Sequence, residues 1–513
     1  MFSFKTWRND VQASLVVFLV ALPLCLGIAM ASNAPLAAGL FAGIIGGIVV
    51  GALSGSPISV SGPAAGLTVI VITAIENLGS FEAFTVAVFL SGIIQIILGF
   101  LRAGTIGDYF PTSVIKGMLA AIGIILILKQ IPHAIGYDVD FMGDESFTQI
   151  DGQNTFSEIL LAFNWLHWGA VVISLISMGI MLLWEKGASK GNKFFKLIPG
   201  ALVAVIAGVL LNEFFKGSFS ALALSSQHLV QLPFSGGWSD IGNNIRFPDW
   251  SYISNPKIYQ VALTIAIVGS LESLLSIDAA DKLDGDGILT SKNRELFAQG
   301  AGNTLSGLIG GLPITAVIVR TTANQTAGAK SNLSAILHGF WLLVCVVSIP
   351  FVLNLIPLSA LAAVLLLVGY KLAKPALFKQ MLHKGMNQFI PFVATIVAIL
   401  FTDLLIGIVF GIVVGFAFVI RSNMHNAVVM VKDAEHILVR FYKDVSFMQK
   451  SALIKIFTDI QDGSTVILDG RDVFIDDDIV ELVEDFIKRA PSRNITVELK
   501  KSSLSVTNLF KGK

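Results

Sequence analysis

The chain is poor in charge. Asp, Glu, Lys and Arg together make up 14% of its 513 residues, against about 25% in ordinary soluble proteins. The two signs cancel to a formal net charge of zero, so no global field marks the chain for nucleic acid or an acidic partner. It has two cysteines, Cys25 and Cys345, both inside apolar runs; that excludes a disulfide framework and reads as packing. Zinc-ligand spacing, a phosphate loop and a nucleophile triad are missing, and an enzyme is not expected. His133, His167 and His338 lie near the ends of apolar runs without metal-ligand spacing. The 284-DGDG-287 stretch lacks the bidentate Glu that closes a calcium loop, and reads as an acidic turn.

What the chain does have is aliphatic length. Apolar residues reach 54%, and nearly uncharged runs recur at 13–31, 36–54, 83–101, 113–131, 166–184, 196–215, 258–277, 331–353 and 387–422. A helix rising about 1.5 Å per residue needs about 20 residues to cross a hydrocarbon core about 30 Å thick. So many runs in series predict a polytopic α-helical membrane protein. The first run, with Lys5 and Arg8 ahead of it and Ala29 to Ala31 at its end, has the outline of a secretory signal. Its length and the mid-run Pro23 predict a retained first span instead.

Basic residues gather in alternate loops: Lys5 and Arg8, Arg102 and Lys116, Lys186 to Lys196, Lys282 to Arg294, Lys330, Lys371 to Lys384, Arg421; the other loops are poor in them apart from Lys216, Arg246 and Lys257 in one long connection. Between Gln130 and Glu185 there is no Lys or Arg, while Asp138, Asp140, Asp144, Glu145 and Asp151 make that loop acidic. The positive-inside rule predicts two cytoplasmic termini, an outward-facing acidic loop and an even number of crossings, about fourteen. The expected home is the cell's inner (plasma) membrane.

Two of those crossings are short: 60-VSGPAAGLTVIVITAIE-76 and 312-LPITAVIVRTTANQ-325. Each follows a Gly/Pro break and reads as a half-helix, with Pro63 and Pro313 at the first helical position. They occupy matching places, about the third span of each half. Such a pair is the sequence pointer to an inverted-repeat transporter with its site near the midplane; re-entrant loops of purely structural role are the alternative. A helix start presents unpaired N–H groups and about half a positive charge, so two facing starts make an anion cradle. Arg320 lies seven residues beyond Pro313, about 10 Å along a helix begun there. It is expected behind the anion, adding positive potential, or paired with Glu272 of the 266-AIVGSLESLLSIDAADK-282 run. Ser276 sits one turn beyond Glu272 on the same face. Glu272 and Ser276 are expected to carry a coupling cation, H⁺ or Na⁺; the alternative is an Arg320–Glu272 ion pair that only fixes helix packing.

After Arg421 the pattern turns to soluble α/β. Strand-like 436–441, 465–470 and 494–500 alternate with helix-like 447–460 and 477–490, predicting a small cytoplasmic sheet with packed helices. The chain thus divides into a transport domain, 1–423, and a tail domain, 424–513.

The quoted segments, with 21-ALPLCLGIAMASNAPLAAGL-40 and 292-KNRELFAQGAGN-303, resemble the SulP (sulfate permease) family of anion transporters along nearly the whole chain. The tail resembles a short STAS domain. The resemblance implies a 7+7 inverted repeat with core and gate domains, an anion between the third and tenth helices, elevator-type alternating access and a homodimer. By position, Ala64, Ala65, Thr315, Ala316, Val317 and Ile318 would line the anion site. Glu272 and Ser276 match an acid and a hydroxyl of sodium-coupled bicarbonate members. Arg320 matches an arginine found in many members but absent from those bicarbonate carriers. Two departures stand out: Leu24 replaces a glutamine common in the opening motif, which dries the pocket, and Asp477 stands where phosphorylatable relatives have serine. The implied activity is H⁺- or Na⁺-coupled uptake of sulfate or bicarbonate. An uncoupled exchanger or channel, or a dicarboxylate carrier on the same scaffold, remain the alternatives, and the tail offers a docking place for a cytosolic partner.

Overall fold

In the computed structural model, residues 6–139, 142, 147, 154–190, 195, 198–234, 237–283, 289–402, 404–424, 428–433, 436–442, 444–445, 447–470 and 473–500 are described. Asp140, Asp144, Glu145, Asp151, Lys193, Lys196 and the 284–287 turn lie outside them.

The apolar runs become helices. The first set comprises α1 (Trp7–Ala31), α2 (Leu36–Ile45), α3 (Thr68–Leu78), α4 (Phe81–Phe100), α5 (Thr112–Ile135), α6 (Trp168–Ser189) and α7 (Gly200–Ser218). The second comprises α8 (Pro256–Leu283), α9 (Lys292–Ile309), α10 (Ile318–Thr326), α11 (Leu333–Ser348), α12 (Leu358–Leu372), α13 (Met386–Phe401) and α14 (Leu404–Met424). Among the described residues, eight helices are long and apolar enough to cross a membrane, and shorter apolar ones add to them. The short members, α3 and α10, are third in their respective sets.

The two breaks meet in a two-stranded antiparallel ribbon. β1 (Ser61–Pro63) pairs with β2 (Ile314–Ala316), Ser61 opposite Ala316 and Pro63 opposite Ile314. The two prolines therefore sit in or before strands, not at first helical positions as the sequence reading had them. Helix begins later, at a 3-10 turn over Ala65–Leu67 leading into α3, and at Ile318 in α10. Proline fits here because its missing N–H costs nothing at the edge of so short a ribbon.

Close backbone approaches fix the surroundings. A Cβ added to Gly46 would lie 2.4 Å from the Ser61 carbonyl oxygen, and one on Gly47 would lie 2.7 Å from Gly339. At that point α2 widens into a π turn, Gly46–Val50. At the other end of α1, the buried Asp10 accepts hydrogen bonds from the Lys330 and Ser331 amides at 2.8 and 2.9 Å and from the Ser331 hydroxyl at 2.7 Å. The start of α1 is thereby tied to the loop that follows α10.

The chain separates into two compact units, Met1–Val414 and Gly415–Lys513; the sequence boundary at 423/424 coincides instead with the end of α14. The C-terminal unit holds a sheet in the order β3 (Val428–Asp433), β4 (His436–Phe441), β5 (Thr465–Asp469), β6 (Thr496–Lys500). The first pair is antiparallel and the others are parallel. Helices α15 (Lys450–Thr458) and α16 (Asp477–Arg489) join the parallel strands, and Phe457 stacks on Phe486 at 4.2 Å between them. β3 has no counterpart in the sequence reading.

Candidate functional site

The ribbon aims two helix starts at one cavity. Because β1 and β2 run antiparallel, α3 leaves from one end and α10 from the other, and each presents first-turn amides that no intrahelical carbonyl can reach. Ala65 and Gly66 of the α3 start and Val317, Ile318, Val319 and Arg320 of the α10 start all line the same cavity. The ribbon spends its own polar groups on itself: the Val317 amide donates to the Val60 carbonyl at 2.9 Å, and the Thr321 hydroxyl accepts from the Val60 amide at 3.1 Å.

Opposite the amides the wall is apolar. Leu24 and Ile28 of α1, Met118 and Ile122 of α5, Val268 and Leu275 of α8, and Leu404 and Ile408 of α14 complete the lining with Glu272 and Ser276. Leu24, marked in the sequence as a drying substitution, is in the wall. The other aliphatic positions carry no signal that separates them from lipid-facing or packing residues.

Arg320 is the largest fully buried side chain, with none of its surface exposed. It falls in the first turn of α10, not two turns along, because the helix starts at Ile318 rather than Pro313. Its Nη2 donates to Cys25 Sγ at 3.3 Å, while Nε and Nη1 have no hydrogen-bond partner among the described residues. Among the described residues no carboxylate forms an ion pair with it, so the Arg320–Glu272 pair allowed by the sequence is not made. Glu272 packs instead against the start of α3: a Cβ on Gly66 would lie 3.2 Å from each of its carboxylate oxygens.

The expected lining thus divides. Ala65, Val317, Ile318, Arg320, Glu272 and Ser276 come together at the cavity. Ala64, Thr315 and Ala316 do not reach it; all three are buried in or beside the ribbon. Ala316 is held there by its amide, which donates to Ser273 Oγ at 3.2 Å.

A second polar cluster stands apart from this cavity. The Nδ1 groups of His133 and His228 each lie 2.6 Å from a different oxygen of Asp138. Burial pushes the Asp138 carboxyl up, but the two imidazole hydrogen bonds and the charge interactions with both rings together outweigh it and hold its pKa below the ordinary value.

A helical membrane protein whose paired, broken helices converge on a buried cation is built as an anion transporter. The sequence matches the Sulfate permease family over residues 7–398, and the chain belongs to that family, one of transporters rather than enzymes. Among its relatives is YvdB of Bacillus subtilis (strain 168), which carries a provisional sulfate-transporter name and is 29% identical over 83% of this chain and 77% of its own. Bicarbonate transporter BicA of Picosynechococcus is 26% identical over 84% of this chain and 74% of its own. Among solved structures, the transmembrane domain of a cyanobacterial BicA matches 79% of this chain and 98% of its own with a TM-score of 0.56 at 23% identity. A structure of SLC26A9 matches 97% of this chain and 85% of its own with a TM-score of 0.68 at 16% identity. These two likenesses concern the fold.

Proposed function

We propose that the chain is a secondary active transporter of a small inorganic oxyanion, sulfate or bicarbonate. The observation that carries this reading is the fully buried Arg320 guanidinium, without a carboxylate partner among the described residues, in the first turn of a helix whose start shares a cavity with the start of α3. Burying an unpaired charge costs several kcal/mol. An anion seated between the two sets of amides would supply the missing partner and gain charge-assisted hydrogen bonds.

Glu272 explains why a cation should travel with the anion. Its carboxylate lies against the start of α3, where it opposes an incoming negative charge. Protonation of Glu272, or Na⁺ held by Glu272 and Ser276, removes that opposition and lets the anion take the amides. Coupling also supplies the driving force, since moving one charge against 100 mV costs about 2.3 kcal/mol. By this reading the protein works as an elevator-type homodimer in the plasma membrane with both termini cytoplasmic. The C-terminal unit is a STAS-like module able to dock a cytosolic partner.

The test is uptake of radiolabelled sulfate and of bicarbonate into proteoliposomes under separately imposed Na⁺ and pH gradients. Accumulation of one anion driven by one gradient supports the proposal and names both ions. Uptake indifferent to the collapse of both gradients would replace coupled transport with exchange or a channel.

A further inference from the structure

The helix beside the ribbon is too polar for a span of purely structural role. α9 carries Glu295, Gln299, Asn303 and Ser306 at helical spacing, all buried to 1% exposure or less. Residues four apart share a helix face, and this face is turned to the ribbon and its flanks. Gln299 Nε2 donates to the Ser61 hydroxyl of β1 at 2.8 Å and to Glu295 Oε1 at 2.8 Å. Asn303 grips β2 from both sides: its Oδ1 accepts from the Ile314 amide at 2.6 Å, and its Nδ2 donates to the Ile314 carbonyl at 2.9 Å. The Ser306 hydroxyl donates to the Leu312 carbonyl at 2.7 Å, just ahead of β2.

Asn303 therefore does for β2 what a neighbouring strand would do, using an amide side chain in place of a backbone. One turn away on the same helix, Gln299 holds β1. The two strands, each from a different half of the chain, are fastened to a single ruler whose spacing is fixed by helix geometry.

The ruler is itself immobilised. Asn303 Nδ2 also donates to Gln95 Oε1 of α4 at 2.7 Å, and Gln95 Nε2 reaches the Ser270 hydroxyl of α8 at 3.3 Å. Backbone meets backbone along the α4–α9 contact: a Cβ on Gly92 would lie 2.3 Å from the Thr304 nitrogen, one on Gly300 2.6 Å from the Gly92 oxygen, and one on Gly307 2.4 Å from the Phe89 nitrogen. At these three glycines there is no room for a Cβ, so α9 cannot slide along α4 without breaking the packing.

We infer that Asn303 and Gln299 are positioning residues that set the separation of the α3 and α10 starts, and through it the size and geometry of the anion accepted. Neither residue lines the cavity. They act through the strands, from whose ends both sets of anion-facing amides spring. The inference rests on the proposed anion site and adds to it what fixes its dimensions.

The experiment measures equilibrium binding of sulfate and of bicarbonate to the purified full chain, with melting temperature and transport kinetics, for wild type, Asn303→Ala and Gln299→Met. Gln299→Met keeps the side-chain length and releases β1 together with Glu295 Oε1, while the Ser54 hydroxyl stays on the other Glu295 oxygen and the grip on β2 is untouched, so it remains informative if Asn303→Ala fails to fold. Gln299→Met loses two buried hydrogen bonds and Asn303→Ala three, which corresponds to a change in Kd of about tenfold or more. The expected result is such a change for the preferred anion, a smaller one for the other, and a KM that rises more than Vmax falls. A lowered melting temperature with both Kd values and their ratio unchanged would overturn the inference and leave α9 as scaffold alone. Absence of anion binding by the wild type would sink the proposed site itself, a separate outcome.

Discussion

Gly62 and Arg320 occupy one space: a Cβ built on Gly62 would lie 2.0 Å from Arg320 Nη1 and 2.9 Å from Cζ. The guanidinium crosses the backbone of β1 where only a glycine leaves room. The position of the buried cation is thus decided jointly by a residue of each half.

Gly62→Ala forces the guanidinium or the strand to move. Anion affinity is expected to fall by about tenfold or more, the scale of a lost charge-assisted hydrogen bond. Titration calorimetry with sulfate and bicarbonate checks this; wild-type affinity in the variant would mean that the guanidinium does not face the anion.

Arg320→Lys keeps the charge and loses the planar fork. A lysine ammonium is a compact point charge and cannot reproduce the fixed, planar spread of the guanidinium N–H groups beside Cys25. Binding is expected to weaken by about tenfold, and Arg320→Gln to weaken it further. Equal affinities for the Lys and Gln variants would show that the charge itself contributes nothing.

Glu272→Gln removes the group proposed to take up the coupling cation while preserving its shape. Concentrative uptake in proteoliposomes is expected to disappear, and equilibrium anion binding to change by less than about fivefold, the scale of a single neutral hydrogen bond. Gradient-driven accumulation at the wild-type level would assign coupling elsewhere.

The Asp138 clamp makes a statement about pH. Its folded pKa lies below the ordinary value because His133 and His228 donate to it, outweighing burial. The stabilisation is therefore complete above the unfolded carboxyl pKa of about 3.9 and is lost as pH falls through the lower, folded value. Asp138→Asn should lower the melting temperature at neutral pH and flatten its fall in acid. Identical melting curves from pH 7 down to the acid limb would remove the clamp from the stability of this region.

Most of the membrane architecture can be read from the sequence because hydrocarbon permits few alternatives to a helix. The breaks at Pro63 and Pro313 are legible for the same reason. Their outcome is not: Ser61–Pro63 and Ile314–Ala316 become strands only because they find each other across some 250 residues, and three-residue segments carry no periodicity of their own. That missed pairing displaces the start of α10 and with it the reading of Arg320. α9 hides differently. Its Glu, Gln and Asn side chains make it look unlike a span, and only its resemblance to known relatives marks it as one. In the C-terminal unit, β4, β5 and β6 show clear alternation, while β3 follows α14 closely and has little pattern to separate it. The apolar cavity wall is illegible in principle, since Met118, Ile122 and Leu404 differ from lipid-facing neighbours only in where they point.

The ribbon has a consequence for motion. Prising the halves apart along β1 and β2 would break main-chain hydrogen bonds, Val317 to Val60 among them, and leave buried N–H and C=O groups unpaired. If the protein works by the elevator motion proposed above, its sliding surfaces are expected elsewhere, against the aliphatic wall of α5 and α14. A bound ion would then shift with its seat, as a passenger does with the carriage.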